Sequence, residues 1–95
     1  MPARVLAIIK ILPEDDTVDL NKMKEDLKSV LPTDNKEIYI HKFEEEPIAF
    51  GLKALKVYVV LPGVYDGGTQ KIEDNFATVK GVSTVDVEMV RSLLA

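Results

Sequence analysis

Apolar positions along this chain keep the two-residue period of a strand, switch to the spacing of a helix, and switch back, and the switches mark out the elements. Residues 5–12 are apolar apart from Lys10 and rich in β-branched side chains, which predicts a strand that Pro13 stops. A polar turn over residues 13–17 follows, with Asp16, Thr17 or Asp19 able to cap what comes next. Leu20, Met23, Leu27, Val30 and Leu31 recur at helical spacing until Pro32 ends the run. Residues 37–43 alternate as a second strand, with Ile38 and Ile40 on one face and Tyr39, His41 and Phe43 on the other. Glu44, Glu45 and Glu46 read as an acidic turn. A long third strand runs from about residue 50 to residue 61, closed by Pro62 and Gly63. A glycine-rich loop leads to Thr69 as a helix cap. Ile72, Phe76 and Val79 then mark the inner face of a second helix that stops at Gly81. Residues 82–90, with Val85, Val87 and Met89 in alternation, form the last strand.

The predicted order is β-α-β-β-α-β, with no linker, repeat or low-complexity tract, so residues 1–95 are expected to form a single domain. That order specifies an α+β, ferredoxin-like sandwich: a four-stranded antiparallel sheet with two helices on one face. Each helix has a single apolar stripe, so both belong on the same side of the sheet. Val5, Ala7, Ile9, Leu55, Val57, Val59, Val85 and Val87 should face them. Lys10, Lys56, Tyr58, Asp86 and Glu88 should fall on the helix-free face.

Composition narrows the function classes. The formal net charge is -4, from 12 basic and 16 acidic side chains, which argues against a surface that binds nucleic acid by neutralising phosphates. The chain has no cysteine, so disulfides, thiolate metal sites and cysteine nucleophiles are excluded. The apolar run at residues 5–12 is far too short to span a bilayer and lacks the flanks of an export signal, so the expectation is a cytoplasmic protein with no membrane partner.

Candidate chemistry is sparse. His41 is the only histidine, with no second ligand at metal-binding spacing. Ser29, Ser83 and Ser92 sit in no nucleophile context. The three adjacent glutamates read as a solvated charge run. Gly67 and Gly68 lack the spacing and the Lys-Ser/Thr of a phosphate loop, and read as glycine dihedrals before a helix. No catalytic constellation, metal site or cofactor site is predicted, and the chain is expected not to be an enzyme.

What stands out is residues 44–55, where an acidic stretch and Pro47 precede a Phe50-Gly51 pair. Glycine weakens a strand unless a bulge or close backbone approach requires it. Two readings fit the residues alone: Phe50 is a partner contact held by a rigid scaffold, or its ring tucks back onto the sheet beside a Gly51 bulge.

The Pro47-Ile48-Ala49-Phe50-Gly51-Leu52-Lys53 run resembles the Pro-Ile-(Ala/Gly)-Phe-Gly-(Leu/Ile)-Lys segment of the elongation factor 1 beta family, the guanine nucleotide exchange factors of elongation factor 1 alpha. The Pro-Glu-Asp-Asp turn, Val18-Asp19-Leu20, Gly68-Thr69, Gly81-Val82 and Asp86-Val87 also fall where that family's pattern has them. The length looks like the archaeal form, in which the exchange domain stands alone. The resemblance implies a translation elongation factor that docks on the GTPase elongation factor 1 alpha, in its GDP- or GTP-bound state, and promotes exchange of GDP for GTP by disturbing the partner's magnesium and phosphate site. Nothing in the sequence suggests an obligate dimer seam, so the expectation is a monomer on its own, and the net negative charge leads to an expectation of no direct nucleic-acid contact.

Carried over residue by residue, the resemblance puts the family's contact aromatic at Phe50, framed by Pro47 and Gly51, with Lys53 at the basic position that follows. Eukaryotic members end with an inserted Lys one residue before a terminal Leu. An ungapped alignment from Asp86 puts Ser92 at that position, with Arg91 one residue earlier and so on the opposite strand face. The expected partner-binding residues are therefore Pro47, Phe50, Gly51, Lys53, Arg91 and Ser92. The alternative is a small-molecule-sensing ferredoxin-like regulatory module. Such modules usually place glycine in the first strand-helix loop, and residues 13–17 have none. An RNA-binding sheet would need aromatics on the open face of its central strands, where only Tyr58 is expected.

Overall fold

A computed structural model describes residues 4–31, 38–62 and 68–93, with the side chains of Phe50, Gly68 and Leu93 outside that description. The expected breaks at Pro32 and Gly63, the strand start at residue 37, and Gly67 with its loop lie outside the described residues. The elements are β1 (Arg4–Pro13), α1 (Leu20–Ser29), β2 (Tyr39–Pro47), a 3-10 turn (Ala49–Gly51), β3 (Lys53–Pro62), α2 (Gly68–Ala77) and β4 (Val82–Leu93). All strand pairs are antiparallel and the order across the sheet is β2-β3-β1-β4, the ferredoxin-like arrangement that the element order predicts.

Alternation along the two central strands sets the core. Ala7, Ile9 and Ile11 of β1 stand opposite Val59, Val57 and Leu55 of β3, and all six are fully buried. Met23 and Leu27 of α1, with Ile72 and Phe76 of α2, close over them, and Val79 follows from the turn after α2. Burying each of these side chains larger than Ala7 contributes about 1.5–3 kcal/mol, so this layer holds the sheet and helices together. Val5, Val85 and Val87 also pack against this core, half-buried, as the alternation requires. Asn75 of α2 donates its side-chain amide to the Val30 carbonyl at 3.0 Å, joining the two helices at their ends.

Asp19 caps α1, accepting from the Asn21 and Lys22 amides at 3.0 and 3.3 Å. Thr69 lies inside α2 and does not cap it, because the helix already begins at Gly68. The chain leaves α2 at Ala77 and turns through Gly81, whose φ is 93°. A Cβ there would lie 3.1 Å from a Val18 methyl, so this turn needs glycine for both its dihedral and its closeness to the loop before α1.

The sheet has three register irregularities: one leaves Ser83 as an extra residue at the start of β4, and the other two correct the simple alternation. In β2, Ile40 stands opposite Val59 and Lys42 opposite Tyr58, which leaves His41 as an extra residue. The bulge brings Phe43 to the helix side, opposite Val57, instead of the face it would share with Tyr39. In β4, Val87 stands opposite Ile9 and Met89 opposite Ile8, so Glu88 is the extra residue. Met89 therefore faces away from the helices, not toward them as strict alternation has it. The same shift sends Arg91 to the open face, opposite Leu6, and Ser92 to the helix side, opposite Val5. Arg91 and Ser92 still lie on opposite faces, as expected, but the bulge decides which is which.

Candidate functional site

The Pro47 to Lys53 segment is a closed turn at one end of the sheet. Pro47 ends β2, an edge strand where the missing N–H breaks no ladder, and stands directly opposite Lys53, the first residue of β3. Between them the Ile48 amide donates to the Leu52 carbonyl at 2.8 Å, and the Leu52 amide donates to the Ala49 carbonyl at 3.3 Å. Phe50 is the middle residue of the enclosed 3-10 turn. Gly51 has a φ of 73°, and no heavy atom lies within 4 Å of where its Cβ would be. Glycine is needed here for the left-handed dihedral, not for room. The expected strand from residue 50 is thus a turn that makes a corner, and the strand begins at Lys53.

The three glutamates are not a turn either. All lie within β2, and each carboxylate has a partner. Glu45 faces the helices and holds two cations: Lys24 of α1 at 3.1 Å and Lys53 at 3.9 Å. It ties the first residue of β3 to the helix layer. From its sequence context alone this residue reads as solvated. Its odd-numbered place between two open-face glutamates was the only available signal. Glu44 and Glu46 face the other way. Glu44 accepts from the Tyr58 hydroxyl, which holds its carboxyl below the usual range and pushes the Tyr58 phenol up. Glu46 lies 3.1 Å from Lys56, which lowers the carboxyl and raises the ammonium. Glu88 adds ion pairs to Lys56 and Lys10 at 3.6 and 3.9 Å. Of the mixed charges expected on the helix-free face, Lys10, Lys56 and Glu88 join Glu46 in one chain of ion pairs, and Tyr58 pairs with Glu44 beside it.

Beside the turn lies a groove of about 210 Å³ lined by Pro13, Asp15, Asp16, Val18, Leu20, Gly51 and Lys53. It joins the loop after β1 to the predicted site. Asp15 accepts from the Thr17 hydroxyl and, at 2.9 Å, from the Thr17 amide, and these bonds lower its carboxyl pKa.

The structure does not bring all predicted site residues together. Pro47, Phe50, Gly51 and Lys53 share the turn, while Arg91 and Ser92 lie near the end of β4, beside the first residues of β1. Arg91 and Ser92 are level with Val60 and Leu61 of β3, so at a rise of about 3.3 Å per residue the two groups lie roughly 25 Å apart along the strands. Both Arg91 and Ser92 are exposed. His41 is exposed at its bulge on the edge strand. Among the described residues no cluster of three or more His, Cys, Asp or Glu could hold a metal ion, and no helix is long and apolar enough to cross a membrane.

Residues 6–93 match the family model of the EF-1 guanine nucleotide exchange domain. The chain is 43% identical over 91 residues to a protein named Elongation factor 1-beta from Staphylothermus marinus, covering 96% of this chain and 98% of the relative. It is 40% identical over 91 residues to the protein of that name from Hyperthermus butylicus, covering 96% of both chains. With the relative from Methanothermobacter thermautotrophicus it shares 42% over 90 residues, covering 95% of this chain and 97% of the relative.

Proposed function

We propose, from the premise that the chain belongs to the EF-1 guanine nucleotide exchange domain family, that it accelerates GDP release from elongation factor 1 alpha so that GTP can rebind. Docking is by the Pro47–Lys53 turn, with Phe50 as the anchor and Lys53 as the neighbouring cation. The end of β4, with Arg91 and Ser92, works on the partner's magnesium and phosphate region. Nucleotide in such a GTPase is held mainly by its phosphate loop and a magnesium ion, with switch segments ordered around them. A contact that disorders this arrangement lowers the barrier to GDP loss. No covalent bond is made or broken in this chain, and the protein is not an enzyme in that sense. It works as a monomer in the cytoplasm, without direct contact to nucleic acid or membrane.

One observation carries the docking reading: Gly51 turns the chain at a φ of 73° between a Pro47–Lys53 cross-strand pair, giving Phe50 a fixed place at the apex of a tied corner. Aromatic anchors on fixed backbone dominate many interfaces, because little entropy is lost when they bind. The test is release of labelled GDP from the cognate elongation factor. Micromolar protein should accelerate it, and no acceleration would overturn the proposal. Removing residues 91–95 should lower the exchange rate more than the docking affinity. Equal loss of both would reject a separate role for the end of β4.

A further inference from the structure

The far end of the sheet carries a pattern that the docking turn does not explain. The chain has two arginines, one near each terminus. Antiparallel pairing of β1 with β4 sets Arg91 opposite Leu6 and Arg4 opposite Leu93, so the arginines are diagonal neighbours on adjacent strands. Arg4 and Leu6 alternate with the core-facing Val5 and Ala7, and the Glu88 bulge turns Arg91 to their side. Both guanidinium groups therefore belong to the helix-free face. Both residues are exposed, and neither side chain makes an ion pair or hydrogen bond with any described residue. The lysines of the same face behave differently: Lys10, Lys42 and Lys56 each have a carboxylate within 4.0 Å.

The floor beside the arginines is apolar. Across the sheet, one row reads Tyr39, Val60, Leu6, Arg91, and the next reads Lys42, Tyr58, Ile8, Met89. Neither row contains a carboxylate. Tyr39 is 42% and Met89 44% exposed, which makes them two of the few large apolar side chains so open to solvent. The third row, Glu44, Lys56, Lys10 and Asp86, returns to the charged network.

We propose that Arg4 and Arg91, with Leu6, Ile8, Tyr39 and Met89, form a second docking surface for an acidic segment of the GTPase partner that also carries apolar side chains. The inference rests on the exchange-factor reading and adds the chemistry of a contact that the reading leaves open. A guanidinium is a planar donor fork matched to carboxylates, so two adjacent arginines with no ion pair among the described residues fit a segment with two nearby carboxylates. Methionine, tyrosine and arginine are also the residue types that interface cores favour. The carboxylates of the third row limit the geometry. An acidic segment running along the strands would meet Glu44, Asp86 and Glu88, so it must lie across them, over the first two rows. Those same carboxylates oppose a long nucleic-acid strand.

The test uses the whole protein and its cognate GDP-bound elongation factor, with affinity measured by titration calorimetry at low and high salt. At low salt Arg4→Gln and Arg91→Gln should each weaken binding by roughly tenfold, and both should flatten its salt dependence. Met89→Ser should raise the dissociation rate with the salt dependence unchanged. Lys80→Gln removes an exposed cation from the turn after α2 and should leave affinity as it was. If Lys80→Gln costs as much as the arginine variants, the effect is net charge alone and the surface is rejected. Wild-type binding that neither arginine variant alters also rejects it, while leaving GDP exchange by the wild type to stand. A wild type that neither binds nor accelerates GDP release removes the exchange-factor reading itself. Two further outcomes overturn this occupant: capture of a single-stranded oligouridine probe that depends on both arginines, and a dimer in sedimentation that the same variants dissolve.

Discussion

The two ends of the sheet are built in opposite ways. At the Pro47–Lys53 end, seven consecutive residues make the whole feature, and its charge is neutralised internally, with Glu45 holding Lys53 against the cation of α1. At the other end, Arg4 and Arg91 come from the two ends of the chain, meet only through strand register, and have no described partner. The first end is a shaped corner and the second a charged, partly apolar flat. A partner that engages both has to meet a rigid contour at one place and offer carboxylates at another. Exposed ion pairs contribute little by themselves, so the contrast concerns recognition more than stability.

The largest expected effect removes both ends together. Phe76 is fully buried under the helices, and Phe76→Ala should cost about 3–5 kcal/mol, seen as a lower denaturant midpoint with both binding ends lost. Phe50→Ala separates the ends: binding should weaken by about 2 kcal/mol with the thermal midpoint nearly unchanged. A variant that unfolds instead would mean that Phe50 packs on the sheet, the alternative its residues left open. Gly51→Ala puts a side chain on a φ of 73° in open space and should lower stability by about 1 kcal/mol, read by chemical denaturation. Glu45→Gln frees Lys53 and Lys24 and should change stability by only about 0.5 kcal/mol. Its stronger signature is on binding, because Lys53 then samples more positions before docking.

Smallest is the pH response of the network between the two ends. Glu44 and Glu46 have lowered carboxyl pKa values in the fold, so their contribution is complete above the usual carboxylate range and fades as acid takes the pH through the lowered values. Lys56 and Tyr58 are raised, so theirs is complete below the ordinary lysine and tyrosine ranges and fades as the pH rises through the raised values. The thermal midpoint should be flat from about pH 6 to 9 and fall on either side. Tyr58→Phe should soften both slopes, and an unchanged acid slope would show that the Glu44 bond does not contribute.

Legibility followed locality. Element order, the core faces of β1 and β3, and both helix stripes could be read from the sequence because each rests on a short-range period. The Phe50-Gly51 pair stood out for the same reason, since a glycine is out of place in a strand, but the sequence reads it as a strand entry and the structure makes it a turn. The faces of Phe43, Met89 and Arg91 were not, because a single extra residue at His41 or Glu88 reverses everything beyond it. Nothing local announces such a bulge. Arg4 gave no signal at all, because its neighbour is at the other end of the chain. The acidic run was misread for a related reason: three like charges look solvated until the fold supplies four lysines and a tyrosine as partners, three of these five from the neighbouring strand β3.

Hydrogen–deuterium exchange of this protein, alone and bound to its GDP-loaded elongation factor, tests the two-ended account most directly. Binding should slow exchange around residues 48–53 and again around residues 4–8 and 89–92, and leave the outer faces of α1 and α2 unchanged. Protection on the helices, or at one end of the sheet alone, would contradict it.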